Sequence, residues 1–154
     1  MANQKLQVQR ALAVVKSDTI GIPDPAKFTV SSSATGTATN KLIDSAGLFT
    51  TTNLVGVGDI VYNSTDSTIA TVTAVDSATQ LTLSANIMAS GENYSIYRDS
   101  TDSCVLYIGT TGNLKVLTAG DDIVAYNSVP VGFFPVQVKK VFNVAGASAI
   151  VANW

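Results

Sequence analysis

The chain contains no histidine and a single cysteine, Cys104. Imidazole titrates near neutral pH, so its absence removes His-dependent triads, His-ligated metals and imidazole acid–base chemistry. One cysteine excludes an intramolecular disulfide and any zinc cluster built on thiolates. Within the strand-like stretch Cys104 to Ile108 it reads as a small hydrophobe. Charge is scarce as well: Lys and Arg number 9, Asp and Glu 11, together 13% of the chain, against roughly 25% in ordinary soluble domains. The cations never gather beyond the pair Lys139-Lys140. Neutralising a phosphate backbone needs several at once, so nucleic acid is not an expected partner. No apolar run approaches the ~20 residues of a membrane-spanning helix, and Met1 to Arg10 lacks the apolar core of a secretory leader. The sequence therefore predicts a soluble chain made in a cytosol, with no membrane contact.

Val, Ser and Thr stand where charge is missing, and Val and Thr favour the pleated, half-buried surface of a strand. Ile69-Ala-Thr-Val-Thr-Ala-Val75 alternates between two faces, and Leu81-Thr-Leu83 returns after a short polar turn. Further strands are predicted at Ala11 to Val15, Phe28 to Val30, Leu48 to Thr52, Asp59 to Tyr62, Gln80 to Leu83 and Tyr94 to Tyr97. Another set covers Cys104 to Ile108, Asn113 to Leu117, Asp122 to Tyr126, Gly132 to Val141 and Ala149 to Ala152. Pro23 and Pro25 mark a rigid exit from the first strand. The polar stretch Ser31 to Gly47 reads as a flexible loop, with a short helical turn over Asn40 to Ala46 as the alternative. The turns Gly109 to Asn113 and Thr118 to Asp122 have hairpin length, so the strands they join are expected to be antiparallel neighbours in a meander.

Few side chains are placed for chemistry. Asp121-Asp122 falls in a predicted turn, where carboxylates serve nearby N–H groups. Asp99 to Asp102 and Asn63 to Asp66 fall short of the six to eight oxygens that calcium requires, and the sequence points to no metal and no cofactor. Gly56 to Val61 is glycine-rich, but a strand follows it and no lysine, so it reads as a turn and not a phosphate cradle. Asn63-Ser-Thr65 matches a glycosylation acceptor formally, without a leader to support it. What remains is apolar. In Val129 to Phe142 the neighbours Phe133 and Phe134 must face opposite sides of a strand, so one enters the core and the other meets solvent, a second layer or a partner. Pro135, lacking an N–H, calls for an edge strand or a bulge. Beyond it Val136, Val138 and Lys140 alternate with Gln137, Lys139 and Val141. Trp154 is a candidate for docking on a neighbouring subunit. Tyr62, Tyr94 and Tyr97 read first as core residues of the 28–99 stretch, and could stack on sugar rings only if exposed.

Two separated stretches, residues 10–22 and 104–154, resemble the small head-spike base proteins of gene transfer agents and related tailed phages. The likeness is carried by Val15-Lys-Ser-Asp18, Leu106-Tyr-Ile-Gly109 with Thr110 to Lys115, Tyr126-Asn-Ser-Val-Pro130, Gly132, Pro135-Val136 and Lys140-Val141. The ending Asn143 to Trp154 departs from that pattern, and residues 28–99 are an insertion which resembles β-modules of marine and cyanobacterial phage structural proteins. The resemblance implies an all-β chain: a discontinuous antiparallel β-sandwich or barrel-like base domain, 1–27 with 100–154, carrying a small inserted β-domain, 28–99. It also implies a virion structural protein and not an enzyme, either a capsid cement or decoration protein or a spike base on the outer surface of the head. Its partners would be the major capsid protein, further copies of itself in a cyclic trimer or pentamer, and a fibre or spike protein. Phe133, Phe134, Val136, Val138 and Trp154 are the expected assembly residues. A tail or baseplate adaptor and a glycan-binding adhesion module are the alternatives.

Overall fold

The computed structural model describes residues 8–100 and 102–154. Residues 1–7, read above for a leader, and residue 101 of the Asp99 to Asp102 run lie outside them. Among the described residues the fold is all-β, with twelve strands in two antiparallel six-stranded sheets and one short 3-10 turn at Pro25–Lys27. The chain divides into two compact units, one gathering the described residues up to Pro25 and after Ser100, the other Ala26–Ser100. Each unit has its own sheet and its own apolar core.

The discontinuous unit holds β1 (Ala11–Ala13), β8 (Cys104–Thr110), β9 (Gly112–Thr118), β10 (Ile123–Val129), β11 (Gly132–Val141) and β12 (Ser148–Asn153), in the order β1-β12-β8-β11-β9-β10. β11 organises the sheet: its first half pairs with β8, and from Val138 on it pairs with β9. The ladder slips between Phe134 and Gln137. Pro135, which has no N–H to donate, sits in that slip, as the sequence requires of a proline inside a sheet. A second slip lies between Val138 and Lys140. It breaks the alternation expected of Val136 to Val141: Val138 and Val141 are both buried, while Lys139 and Lys140 are both half-exposed. Cys104 lies in this core, where burial, helped by the charge of Asp24, pushes its thiol pKa up to about 12. It behaves as the small hydrophobe the sequence suggests.

One expected neighbour relation fails. β9 and β10 are paired, but β11 intervenes between β8 and β9, so the sheet is not a meander. A single residue, Thr111, separates β8 from β9. The corner it makes is filled by another segment, since the Ala147 N–H donates to the Asn113 carbonyl at 2.9 Å. The glycines there serve close backbone approach, not a hairpin turn: a Cβ on Gly112 would lie 2.3 Å from the Ala147 nitrogen.

The second unit holds β2 (Phe28–Ser33), β3 (Lys41–Ile43), β4 (Ile60–Asn63), β5 (Thr68–Ser77), β6 (Gln80–Leu83) and β7 (Asn93–Tyr97), in the order β2-β7-β4-β5-β6-β3. Here β5 plays the part that β11 plays in the other unit, pairing with β4 through Thr71 and with β6 from Val72. Its partner β4 is buried along its whole length. The sequence readings over Ser31 to Thr52 are corrected. Ser31 to Ser33 continue β2, Lys41 to Ile43 form a strand on β6 in place of a helical turn, and Leu48 to Thr52 is a turn in place of a strand.

Asp44 explains the change of direction. Its carboxylate accepts the Ala46 N–H at 2.9 Å, a local bond that competes with an extended ladder. Leu48 then adopts φ 47°, and Thr51, Thr52 and Asn53 all donate to its carbonyl. Phe49 folds its ring back over Gly47, where a Cβ would meet the ring at 2.6 Å.

Asp44 is buried and also accepts the Tyr94 hydroxyl at 2.7 Å. Burial alone raises the carboxyl pKa, but the Tyr94 hydroxyl, the Ala46 N–H and the Ser32 hydroxyl outweigh it and hold it below the ordinary 3.8. A carboxyl with a depressed folded pKa stabilises above its ordinary pKa and loses that contribution as pH falls through the folded value. Tyr94→Phe is therefore expected to cost about 1.5–3 kcal/mol at neutral pH, as for a hydrogen bond to a charged group. Urea melts should show that deficit shrinking below about pH 4; a deficit independent of pH would mean that the hydroxyl does not act through the Asp44 charge.

Candidate functional site

The register of the discontinuous unit places two rows of side chains across four adjacent strands. Leu12 pairs with Ala152, Ala152 with Leu106, and Leu106 with Phe134. This is the inner row: Ala152, Leu106 and Phe134 are in the core, and Leu12 is half-buried. One residue along every strand, Ala13 pairs with Val151, Val151 with Tyr107, and Tyr107 with Phe133. Successive residues of a strand face opposite sides, so this second row forms the outer face. Phe133 is 58% exposed and Tyr107 38%, against 6% for Phe134.

The two phenylalanines are each met by a tyrosine. Phe134 stands edge-on to Tyr126 at 4.8 Å between centroids, inside the unit. Phe133 stands edge-on to Tyr107 at 5.6 Å, on the surface. Such T-shaped pairs hold each ring in a set orientation. The outer row thus presents an oriented aromatic pair flanked by Val151 and Ala13, with no charged side chain in it. Val131, just before β11, and Ile123, at the start of the end strand β10, add exposed apolar side chains to the same unit.

Of the five residues expected at an assembly contact, Phe133 alone is prominently exposed. Val138 and Phe134 belong to the core, and Val136 is half-buried against it. Trp154 packs on the same core. It is fixed there by its backbone: the Trp154 N–H donates to the Arg10 carbonyl at 3.0 Å, and its own carbonyl accepts the Gln9 N–H at 2.7 Å. Its place is on β1 and the core of its own unit. Tyr107 was missed because a tyrosine in an alternating strand shows no face of its own until its register partner is known.

Of the two readings of Tyr62, Tyr94 and Tyr97, the structure gives the core one: all three are buried and offer no ring face to a glycan. The segment read as a strand at Leu48 to Thr52 belongs instead to a loop that exposes Leu48, Leu54 and Val57. Asp121 has φ 68° and an ion pair with Lys139 at 2.8 Å, and the Asp122 N–H donates to the Thr118 hydroxyl, so both serve the β9–β10 turn. The Gly56 N–H donates to the Asp59 carboxylate at 2.8 Å, which makes the expected turn into β4. Asn63 is fully buried, so the formal acceptor Asn63-Ser-Thr65 is not open to glycosylation in the folded chain. Among the described residues no three of Cys, Asp and Glu stand close enough to share a metal. Comparison with protein-family models, curated proteins and solved structures finds no match.

Proposed function

We propose that the protein is a structural component of a tailed-phage virion, a cement or decoration protein or spike base on the outside of the head. The observation that carries this reading is the outer row Ala13, Val151, Tyr107 and Phe133, an uncharged, oriented apolar surface on the unit whose residues resemble the spike-base family. A sheet face of this kind binds by excluding water, at about 25 cal/mol per Å² of apolar area less the cost of association. Single contacts are then modest, and many copies on one shell supply the strength.

Self-association is supported by the end strand β10, Ile123 to Val129, which carries no charge and leaves Ile123 exposed. Edge strands without charge pair readily with other chains, and closed rings satisfy such edges without polymerising. A cyclic trimer or pentamer seated on the major capsid protein fits a shell axis, with a fibre or spike protein as a further partner. Within this reading Ala26–Ser100 is an inserted β-module. Replacing residues 28–99 by a short Gly-Ser linker is expected to leave a cooperatively folding remainder, followed by Trp154 fluorescence. Loss of all cooperative unfolding would show that the two units need each other.

The test of the function is location. Antibody against the chain is expected to label purified heads and not separated tails, and a cryo-EM map of the head should show its density outside the shell. Labelling confined to tails would favour the adaptor reading instead.

A further inference from the structure

β10 is the last strand of its sheet, and its register shows which of its backbone groups are unpaired. The Thr118 N–H donates to the Asp122 carbonyl at 2.9 Å, which makes these two residues a hydrogen-bonded pair. Such pairs alternate along an antiparallel ladder. Val124 and Tyr126 therefore bond to β9 opposite Val116 and Leu114, while the N–H and C=O groups of Ile123 and Ala125 point away from it. Among the described residues nothing hydrogen-bonds to those groups.

The side chains beside this edge carry charge that the chain leaves unanswered. Lys115 pairs with Ala125 on one side, and on the other its carbonyl accepts the Phe142 N–H, so Ala125, Lys115 and Phe142 form one row. Lys115 alternates with the buried Leu114 and Val116, which puts the row on the outer face. Lys140 pairs with Leu117 in the next row. Both ammonium groups rest on the Phe142 ring, Lys115 Nζ 5.0 Å and Lys140 Nζ 4.6 Å from its centroid. The pair adjacent in sequence is thereby split. Lys139 takes Asp121 at 2.8 Å, whereas neither Lys140 nor Lys115 has an ion pair among the described residues. Asp18 gives Lys140 only its carbonyl, because its carboxylate accepts the Asn143 N–H. Two like charges are held over one ring, and only the small side chain of Ala125 stands between Lys115 and the open edge.

We propose that β10 receives an extended segment of a partner polypeptide that carries carboxylates on its outward side. The unpaired backbone groups specify a polypeptide, since an added strand answers each of them. The lysines specify its charge. An incoming strand lies two strand spacings, about 10 Å, from β9, a span that a lysine and a glutamate side chain cover between them across Ala125. A second copy of β10 is a poor occupant, because it would put a lysine pair on each side of the seam and no carboxylate between them. The proposal rests on the open β10 edge invoked above for association and names the strand that this edge selects.

The experiment uses the full chain and three end-blocked octapeptides in which valine alternates with glutamate, threonine or lysine, titrated by calorimetry. The glutamate peptide is expected to bind about fivefold or more tightly than the threonine peptide. That preference should fade between about 50 and 500 mM salt, and the lysine peptide should bind weakest. Replacing both half-exposed lysines, Lys115→Gln with Lys140→Gln, should erase the preference and leave the affinity for the threonine peptide unchanged. Ala125→Pro removes an N–H that β9 does not use, at an exposed edge position of the kind that tolerates proline. Its urea midpoint should hold while all three peptides lose binding; if proline disturbs the strand, the lysine variant decides. No heat with the glutamate peptide at about 1 mM overturns the proposal. So does equal binding of the glutamate and lysine peptides, or a preference that survives in the lysine variant. Labelling of heads or of tails in the location experiment alters none of these outcomes, so the two readings fail separately.

Discussion

Gly112→Ala and Gly146→Ala are each expected to cost at least about 3 kcal/mol, enough to unfold much of a marginally stable unit. The two residues face each other where the β8–β9 corner passes under the lead into β12. A Cβ on Gly112 would stand 2.3 Å from the Ala147 nitrogen and 2.4 Å from the Gly146 carbonyl carbon. On Gly146, whose φ is 142°, it would stand 2.4 Å from both the nitrogen and the oxygen of Asn113. All of these are backbone atoms on paired segments, and none can swing aside as a side chain would. Relief requires parting the two segments, which breaks the Ala147 to Asn113 hydrogen bond beside them. Gly120→Ala is the control. Its nearest neighbour is the Asp122 carboxylate at 3.5 Å, and the change should fall within ~0.5 kcal/mol. The chain has one tryptophan, Trp154, and it packs on this unit's core, so fluorescence against urea reports the right unit. A Gly112→Ala midpoint equal to that of the parent would mean that the corner is looser than the geometry requires.

That corner marks where the sequence stops being legible. Strands show through because alternation is a local property: Gly132 to Val141 and Gln80 to Leu83 read directly as β11 and β6. The all-β class follows from enough such stretches. Which strand lies beside which is not local. The Gly109 to Asn113 stretch has the length and glycines of a hairpin, yet its glycines answer to a segment far along the chain. Asn40 to Ala46 and Leu48 to Thr52 failed for a related reason. Asp44 bonds to its own Ala46 N–H and to Tyr94, and Tyr94 is distant in sequence. The opposed faces of Phe133 and Phe134 were legible from adjacency on a strand. Which of the two points outward was not, because it depends on the pairing of Phe134 with Leu106, itself buried. Trp154 shows the same limit, since its backbone partners Gln9 and Arg10 lie at the opposite end of the chain.

The opposed phenylalanines give the second large effect, and the two substitutions should separate folding from assembly. Phe134→Ala empties a core position against Tyr126 and Leu106, and buried Phe to Ala changes cost about 3–5 kcal/mol. Its monomer should unfold at markedly lower urea. Phe133→Ser removes a ring that already stands in water beside Tyr107, so folding should change by no more than about 1 kcal/mol. If the outer row is the contact, however, each copy loses the burial of one large aromatic side chain, worth about 2–3 kcal/mol. That corresponds to a contact weakened on the order of 30- to 150-fold. In a ring or on a shell the loss recurs at every copy, so the oligomer should dissociate while the subunit remains folded. Removing Trp154 should behave like the core change, because its backbone closes β1 onto β12 and its ring covers the core. Light scattering gives the oligomeric state, sedimentation with purified heads gives binding, and urea melts of the same samples give stability. A Phe133→Ser protein that keeps its oligomeric state and its affinity for heads would remove the outer row from the interface, and with it the observation on which the virion reading rests.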